Sequence, residues 1–219
     1  MRAVVVAGGD LDPADAALLH GADLVVAADG GAASLERLGV RPHLVVGDLD
    51  SADPAKVARL EATGTRVERH PVDKGASDAE LAIERALSEA PDGIVVLGLL
   101  GGLRLDHELA ALLLLADPSL RGRDVRAVRG GTTVRALHGD GRLQLAGRPG
   151  DIVTLLPVAG DAVGVRTTGL RWALDGETLR LGRSRGLSNE VTEAPASVRI
   201  EAGVLLVVEI ERGGEGGHR

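Results

Sequence analysis

The sequence predicts a two-part α/β protein: an N-terminal parallel-sheet, Rossmann-like α/β region followed by a C-terminal all-β sandwich. Two observations predict it. In the first half, short apolar runs alternate with helix-like stretches, which builds a parallel sheet covered on both faces. Near Ala116–Asp124 the helical pattern stops, and short strands broken by glycine follow at the spacing of a sandwich.

Taken in order, Ala3–Ala7 is a buried strand and Asp12–Leu19 is helical. Asp23–Ala28 is the second strand, and Asp29-Gly30-Gly31 leads into a helix over Ala32–Leu38. Leu44–Val46 is the third strand. Asp53-Pro54 then opens a helix with a cap residue and a proline at the first position. Thr65–Arg69 is the fourth strand. Ser77-x-x-Glu80 has capping-box spacing and starts a helix that runs to about Ala90. Ile94–Gly98 is the fifth strand and Leu105–Ala116 an apolar helix. The later strands are Val125–Arg129, Thr132–Leu137, Arg142–Leu145, Ile152–Pro157, Ala162–Arg166, Leu170–Leu174, Ser197–Glu201 and Val204–Ile210. The expected domains are residues 1–122 and 123–212, with 213–219 a disordered tail.

Composition narrows the function. The net charge of −7, from 32 acids and 25 bases, argues against a nucleic-acid binder, which would show a basic face and stacking aromatics. There is no Phe or Tyr and one Trp, so the core must be Leu, Val, Ala and Ile. The absence of cysteine excludes disulfides and thiolate metal sites. No apolar run is long enough to cross a bilayer and no signal-like start is present, so the expectation is a soluble cytoplasmic protein without a membrane partner.

The chemistry gathers where strands end, which is where open parallel sheets bind ligands. Gly8-Gly9-Asp10, Asp29-Gly30-Gly31, Gly47-Asp48-Leu49-Asp50-Ser51, Asp73–Asp78 and Gly101-Gly102 all fall there. Each glycine pair either lets backbone N–H groups approach phosphate or merely makes a tight turn. None fits the dinucleotide or P-loop fingerprint. Asp48 and Asp50 can share a face only if the backbone turns between them, and Gly47 permits that turn. Metal binding is favoured over a plain capped loop, because carboxylates recur at strand ends and Mg²⁺ takes a few of them together with phosphate oxygens. Ser77 and Asp78 suit a helix cap and a first-turn acid, a role compatible with ligation. Lys74, one of only two lysines, reads equally as a phosphate contact or a solvated side chain. Arg104 can clamp phosphate. Asp106 can cap the helix or accept from a ligand amine. Trp172 reads as a core residue sharing a face with Leu170 and Leu174, or as a stacking platform for a flat heterocycle. Ser188-Asn189-Glu190 reads as a binding loop.

Together these motifs resemble the thiamin pyrophosphokinase family, over nearly the whole chain and in order: Ala28-Asp29-Gly30-Gly31-Ala32, Gly47 to Ser51, Asp73-Lys74 through Asp78, Gly101-Gly102 through Asp106-His107, Thr167-Thr168-Gly169-Leu170-x-Trp172-x-Leu174, and Gly186 to Glu190. The resemblance implies a homodimer that transfers the diphosphate of ATP to thiamin with Mg²⁺, releasing AMP. It implies that 1–122 is the nucleotide- and metal-binding catalytic domain and 123–212 the thiamin-binding domain. By the same resemblance Asp48, Asp50 and Asp78 are the catalytic and metal-holding carboxylates. Asp29, Gly30, Gly31, Lys74, Ser77 and Arg104 are nucleotide and phosphate contacts. Asp106, Trp172, Ser188 and Asn189 form the thiamin pocket, with Trp172 supplied by the neighbouring subunit. Two departures stand out. Gly75 replaces an acid of the family loop, which weakens the metal site or shifts work to Asp73. The Gly-Gly-Arg-x-Asp-His motif is one residue longer here, at Gly101 to His107. A thiamin or nucleotide sensor, or a Mg²⁺-dependent phosphohydrolase on the same fold, is the alternative.

Overall fold

A computed structural model describes residues 1–49, 53–71, 73, 75–102 and 104–213. The chain divides into two compact units, Met1–Ala111 with Arg123–Gly130, and Leu112–Gly122 with Gly131–Arg219. Both are built on sheets, one parallel and flanked by helices, the others antiparallel, so the protein is of mixed α/β class.

In the first unit six strands lie in parallel: β1 (Arg2–Val6), β2 (Leu24–Ala28), β3 (Leu44–Gly47), β4 (Arg66–Arg69), β5 (Gly93–Leu97) and β6 (Val125–Arg129). Their order is β6-β5-β1-β2-β3-β4, which reverses direction between β1 and β5. The inner strands are continuous apolar runs because both faces are covered: Ala3 to Val6 and Leu44 to Val46 are buried throughout. β4, with the sequence Arg66-Val67-Glu68-Arg69, is the polar edge of the described sheet.

Helices α1 (Gly31–Arg37), α2 (Pro54–Ala62), α3 (Asp78–Leu87) and α4 (Leu105–Leu114) follow β2, β3, β4 and β5. Asp53 caps α2 by accepting the N–H of Ala55 at 2.9 Å, as its Asp-Pro pair predicts. α3 buries Ala82, Ile83 and Ala86 and packs on β1, β2, β3 and β5. It ends at Leu87, short of the expected Ala90, which takes a left-handed φ of 49°. The segment expected as a helix over Asp12–Leu19 is a 3-10 helix, Pro13–Leu19, capped by Asp12. β6, read from sequence as the first strand of the second half, pairs in parallel with β5 and so belongs to the first unit.

The second unit contains two antiparallel sheets. One runs β12 (Asn189–Glu190), β9 (Ile152–Pro157), β14 (Val204–Ile210), β7 (Thr132–His138). The other runs β11 (Asp175–Leu179), β10 (Ala162–Thr168), β13 (Ser197–Arg199), β8 (Arg142–Gln144). Alternate residues of β9 and β14 join residues of β10 and β13 in one buried cluster that includes Leu155, Val165, Val198 and Val207. The expected strand Leu170–Leu174 is absent: the segment is a bend, and the strand lies just beyond it as β11. β11 and the two-residue β12 had no sequence signal. No described helix is long and apolar enough to cross a membrane. Residues 214–219, the greater part of the expected tail, lie outside the described residues.

Candidate active site

The carboxyl ends of the parallel strands are drawn together by backbone contact, and this explains their glycines. A Cβ on Gly31 would sit 2.0 Å from the carbonyl oxygen of Val6. One on Gly9 would lie 2.4 Å from the carbonyl oxygen of Gly98, which already accepts the Gly9 N–H at 3.0 Å. One on Gly30 would lie 3.1 Å from Cα of Gly8. Gly9, Gly30, Gly31 and Gly47 all keep ordinary φ values. They are glycine because the chain passes close to itself, not because a turn needs a left-handed residue.

The same packing brings Asp29 against Gly47, the residue before Asp48. The Asp29 N–H donates to Val46 at 3.0 Å, and a Cβ on Gly47 would come within 2.8 Å of Cβ of Asp29. The two acids therefore issue from neighbouring strand ends. The turn after Asp48, expected at Gly47, is made instead by Leu49, whose φ is 57°. Left-handed backbone in a bulky residue is costly and persists where the surroundings impose it; Leu49 packs against the core of the first unit. Asp50 and Lys74 lie outside the described residues. Ser77 caps α3, its hydroxyl accepting the Glu80 N–H at 3.2 Å, and Asp78 occupies the first turn, as their spacing implied. Among the described residues no three His, Asp or Glu side chains converge where a metal could be held. The donor set read from sequence is all carboxylate, which suits a hard cation that keeps waters and phosphate oxygens in its shell.

Arg104 and Asp106 engage each other. The Arg104 guanidinium reaches the Asp106 carboxylate through Nε at 2.9 Å and Nη2 at 2.5 Å. This contact holds the Asp106 carboxyl far below the usual carboxylate range. Both side chains are exposed, at 67% and 63%. The expected phosphate contact and the expected thiamin contact are thus partners in this conformation. Two further residues shape the loop before them. Glu108 accepts the N–H of Gly101 at 2.8 Å, and the Arg129 guanidinium fills the space beside Gly101, where a Cβ would fall 1.0 Å from Nη1. Sequence reading missed both. The place of Arg129 at the end of a parallel strand is the signal that could have found it.

In the second unit Trp172 is 49% exposed, whereas Leu170 and Leu174 are buried, so the core reading of this Trp and its shared face with them are both corrected. The bend at Arg171–Trp172 breaks the alternation. Trp172 is held by Asn189, itself buried: the amide oxygen accepts the Trp172 N–H at 3.0 Å and the amide nitrogen donates to its carbonyl at 2.8 Å. The Arg171 guanidinium lies 5.5 Å from the indole centroid and pairs with Glu190 at 3.2 Å. Ser188, with φ of 53°, donates its N–H to the Thr154 hydroxyl at 2.9 Å. Trp172, Ser188 and Asn189 therefore form one cluster.

A cavity of about 620 Å³ lies between α1 and α2, with Asp29 and Gly30 among its lining residues.

Comparison with known proteins places the chain. Residues 16–127 match the model for the thiamin pyrophosphokinase catalytic domain, and residues 142–205 that for the thiamin pyrophosphokinase vitamin B1 binding domain. The thiamine pyrophosphokinase of Bacillus subtilis is 24% identical over 195 residues, covering 84% of this chain and 86% of that protein. The crystal structure of the Bacillus subtilis protein superposes with a TM-score of 0.85 at 24% identity, covering 97% of this chain and all of that one. The crystal structure of the thiamin pyrophosphokinase of Geobacillus thermodenitrificans gives 0.80 at 25% identity, covering 98% and 99%. With two family models spanning most of its length in the expected order, the chain belongs to the thiamin pyrophosphokinase family of ATP:thiamin diphosphotransferases.

Proposed function

We propose that the strand-end carboxylates of the first unit hold Mg²⁺ and the phosphates of ATP, and that the cluster around Trp172 receives thiamin. The observation that carries this reading is the close approach of Gly47 to Asp29, which brings the strand end carrying Asp48 against the one carrying Asp29. Asp48, Asp50 and Asp78 would hold the ion, and bound there it would neutralise charge developing on the transferred phosphates. Asp29, Gly30 and Gly31 position the nucleotide, and Ser77 and Lys74 contact phosphate. The hydroxyl oxygen of thiamin bonds to the β-phosphorus. The bond from that phosphorus to the bridging oxygen breaks, its electron pair leaves with AMP, and the hydroxyl proton is released. In-line positioning supplies most of the acceleration in such a transfer. Arg104 must exchange Asp106 for phosphate, which frees Asp106 to accept from the thiamin amine.

In the second unit the exposed indole supports stacking on the electron-poor ring of thiamin, and Ser188 and Asn189 border it. Arg171 already lies near one face of the indole, which supports the other face as the platform. We read the first unit as Rossmann-like and catalytic, and the paired antiparallel sheets as a thiamin-binding sandwich. Leu105, Leu109 and Leu113 form an exposed stripe along α4, 52–68% accessible, which supports a homodimer with the site at the subunit interface.

Mass spectrometry of a mixture of ATP, Mg²⁺ and thiamin tests the reading. AMP and thiamin diphosphate should appear together, and only when thiamin is present. Nucleotide hydrolysis without thiamin would mark a phosphohydrolase, and thiamin binding without turnover a sensor. Mixing Trp172→Ala chains with Asp48→Asn chains should restore activity if subunits share sites.

A further inference from the structure

We propose that Arg129 is a positioning residue for the transfer, which fixes Arg104 and Asp106 by holding Gly101 and, through Glu108, the start of α4; the inference rests on the diphosphotransferase reading and adds what aims its acceptor side. Arg104 and Asp106 are exposed, and α4 buries none of its residues. Little packing therefore fixes the start of this helix, and its hydrogen bonds have to. Two are in place. The N–H of Gly101 donates to the Glu108 carboxylate at 2.8 Å, and the N–H of Glu108 donates to the Arg104 carbonyl at 3.1 Å. Asp106 lies between Arg104 and Glu108 in the same turn. Holding Gly101 therefore holds the turn that carries both side chains.

Gly101 is held from β6. Val128 pairs with Leu97 of β5, so Arg129 leaves the end of β6 beside the loop that follows β5. Its guanidinium donates from Nη1 to the Leu100 carbonyl at 3.4 Å and fills the space that a side chain on residue 101 would need. Gly101 has a φ of 71°, which glycine adopts without strain. Arg129 is anchored in turn. Asp15, 3% exposed, accepts the N–H of Gly130 with both carboxylate oxygens, at 3.0 and 3.1 Å. Burial pushes the Asp15 carboxyl up, and the Gly130 bond and the Arg129 charge oppose that rise. A carboxylate is costly to bury, so its bonds to Gly130 mark a point the fold keeps fixed. Such a device has a large effect, because a displacement of about 1 Å in a reacting site costs up to roughly 10²-fold in rate.

Steady-state kinetics, ATP calorimetry and amide exchange on Arg129→Met, which keeps the stem and removes the donors, test this. In a variant that melts like the wild type, kcat should fall about tenfold or more while the Kd for ATP with Mg²⁺ stays within about twofold. Exchange at the Gly101 amide should quicken about tenfold while Val95 and Val96 of β5 stay protected. Glu108→Ala should lower kcat as far, and Glu108→Gln, whose oxygen still accepts, should recover most of that loss. Combining Glu108→Ala with Arg129→Met should cost little beyond either single change, since both act through Gly101. A wild-type kcat in Arg129→Met overturns the proposal. So does an about tenfold weaker grip on ATP, which would make Arg129 a phosphate contact. Should Arg129→Met not fold, Arg129→Lys, which keeps the charge but not the planar fork, must lower kcat several-fold at unchanged ATP affinity, and any other result overturns the proposal. Thiamin-dependent AMP production by the wild type is measured separately. If that fails, the transfer reading falls, and the exchange measurement, which needs no turnover, decides whether Arg129 holds the loop: an unchanged Gly101 rate overturns it.

Discussion

In the first unit the candidate loops are held by main chain against main chain: Gly31 on Val6, Gly9 on Gly98, Gly47 beside Asp29. In the second unit one buried side chain, Asn189, bonds both the N–H and the carbonyl of Trp172. The first arrangement tolerates no added carbon but is indifferent to side-chain chemistry. The second has room for atoms but depends on a single amide. Phosphate suits the former, since it is bound by backbone donors and by charges at fixed spacing. A heterocycle suits the latter, since it needs one well-aimed ring.

The contrast breaks hardest at Gly31. Gly31→Ala places a carbon 2.0 Å from a backbone oxygen that no side-chain rotation can move. It should exceed the about 1–3 kcal/mol of ordinary overpacking and leave little folded protein in denaturant melts. A wild-type melting curve would show that the backbone contact does not hold the loop.

Next is Asp48→Asn, which should leave the melting temperature unchanged and lower turnover by roughly 10²–10³-fold, the scale for losing one electrostatic group at a transferring centre. Near-normal turnover at saturating Mg²⁺ would remove the carboxylate from the mechanism.

In the second unit, Trp172→Ala should raise the KM for thiamin about tenfold with little change for ATP, since stacking contributes about 1–2 kcal/mol. Because the indole is 49% exposed, stability should fall far less than the about 3–5 kcal/mol of a buried Trp. Asn189→Ala should raise the same KM but also lower the melting temperature, because it leaves two part-buried backbone groups without their partner, at up to about 1–3 kcal/mol. If the two variants melt alike, Asn189 is not the holder of the loop.

The smallest effect is expected at Gly75, where an added Cβ meets nothing within 4 Å among the described residues. Gly75→Asp should fold normally and lower the Mg²⁺ concentration for half-maximal rate a few-fold. An unchanged requirement, read from initial rates across a Mg²⁺ titration, would leave that work to Asp73.

Sequence alone determined what rests on neighbouring residues. Apolar runs marked β1 to β3 and β5. The caps at Asp53 and Ser77 were legible because each bonds an N–H two or three positions away. The order of the motifs carried the family. Tertiary structure decided what depends on distant partners. β12 forms only against β9, remote in the chain, and Trp172 is exposed because a bend between two buried leucines breaks the expected alternation. Leu49 makes the turn assigned to Gly47, while Gly47 lies against Asp29. Arg129 reaches Gly101 only because β6 lies beside β5. Propensity and capping act over a few residues, whereas exposure and close approach belong to the packed chain, and these decide which of the legible residues can act together.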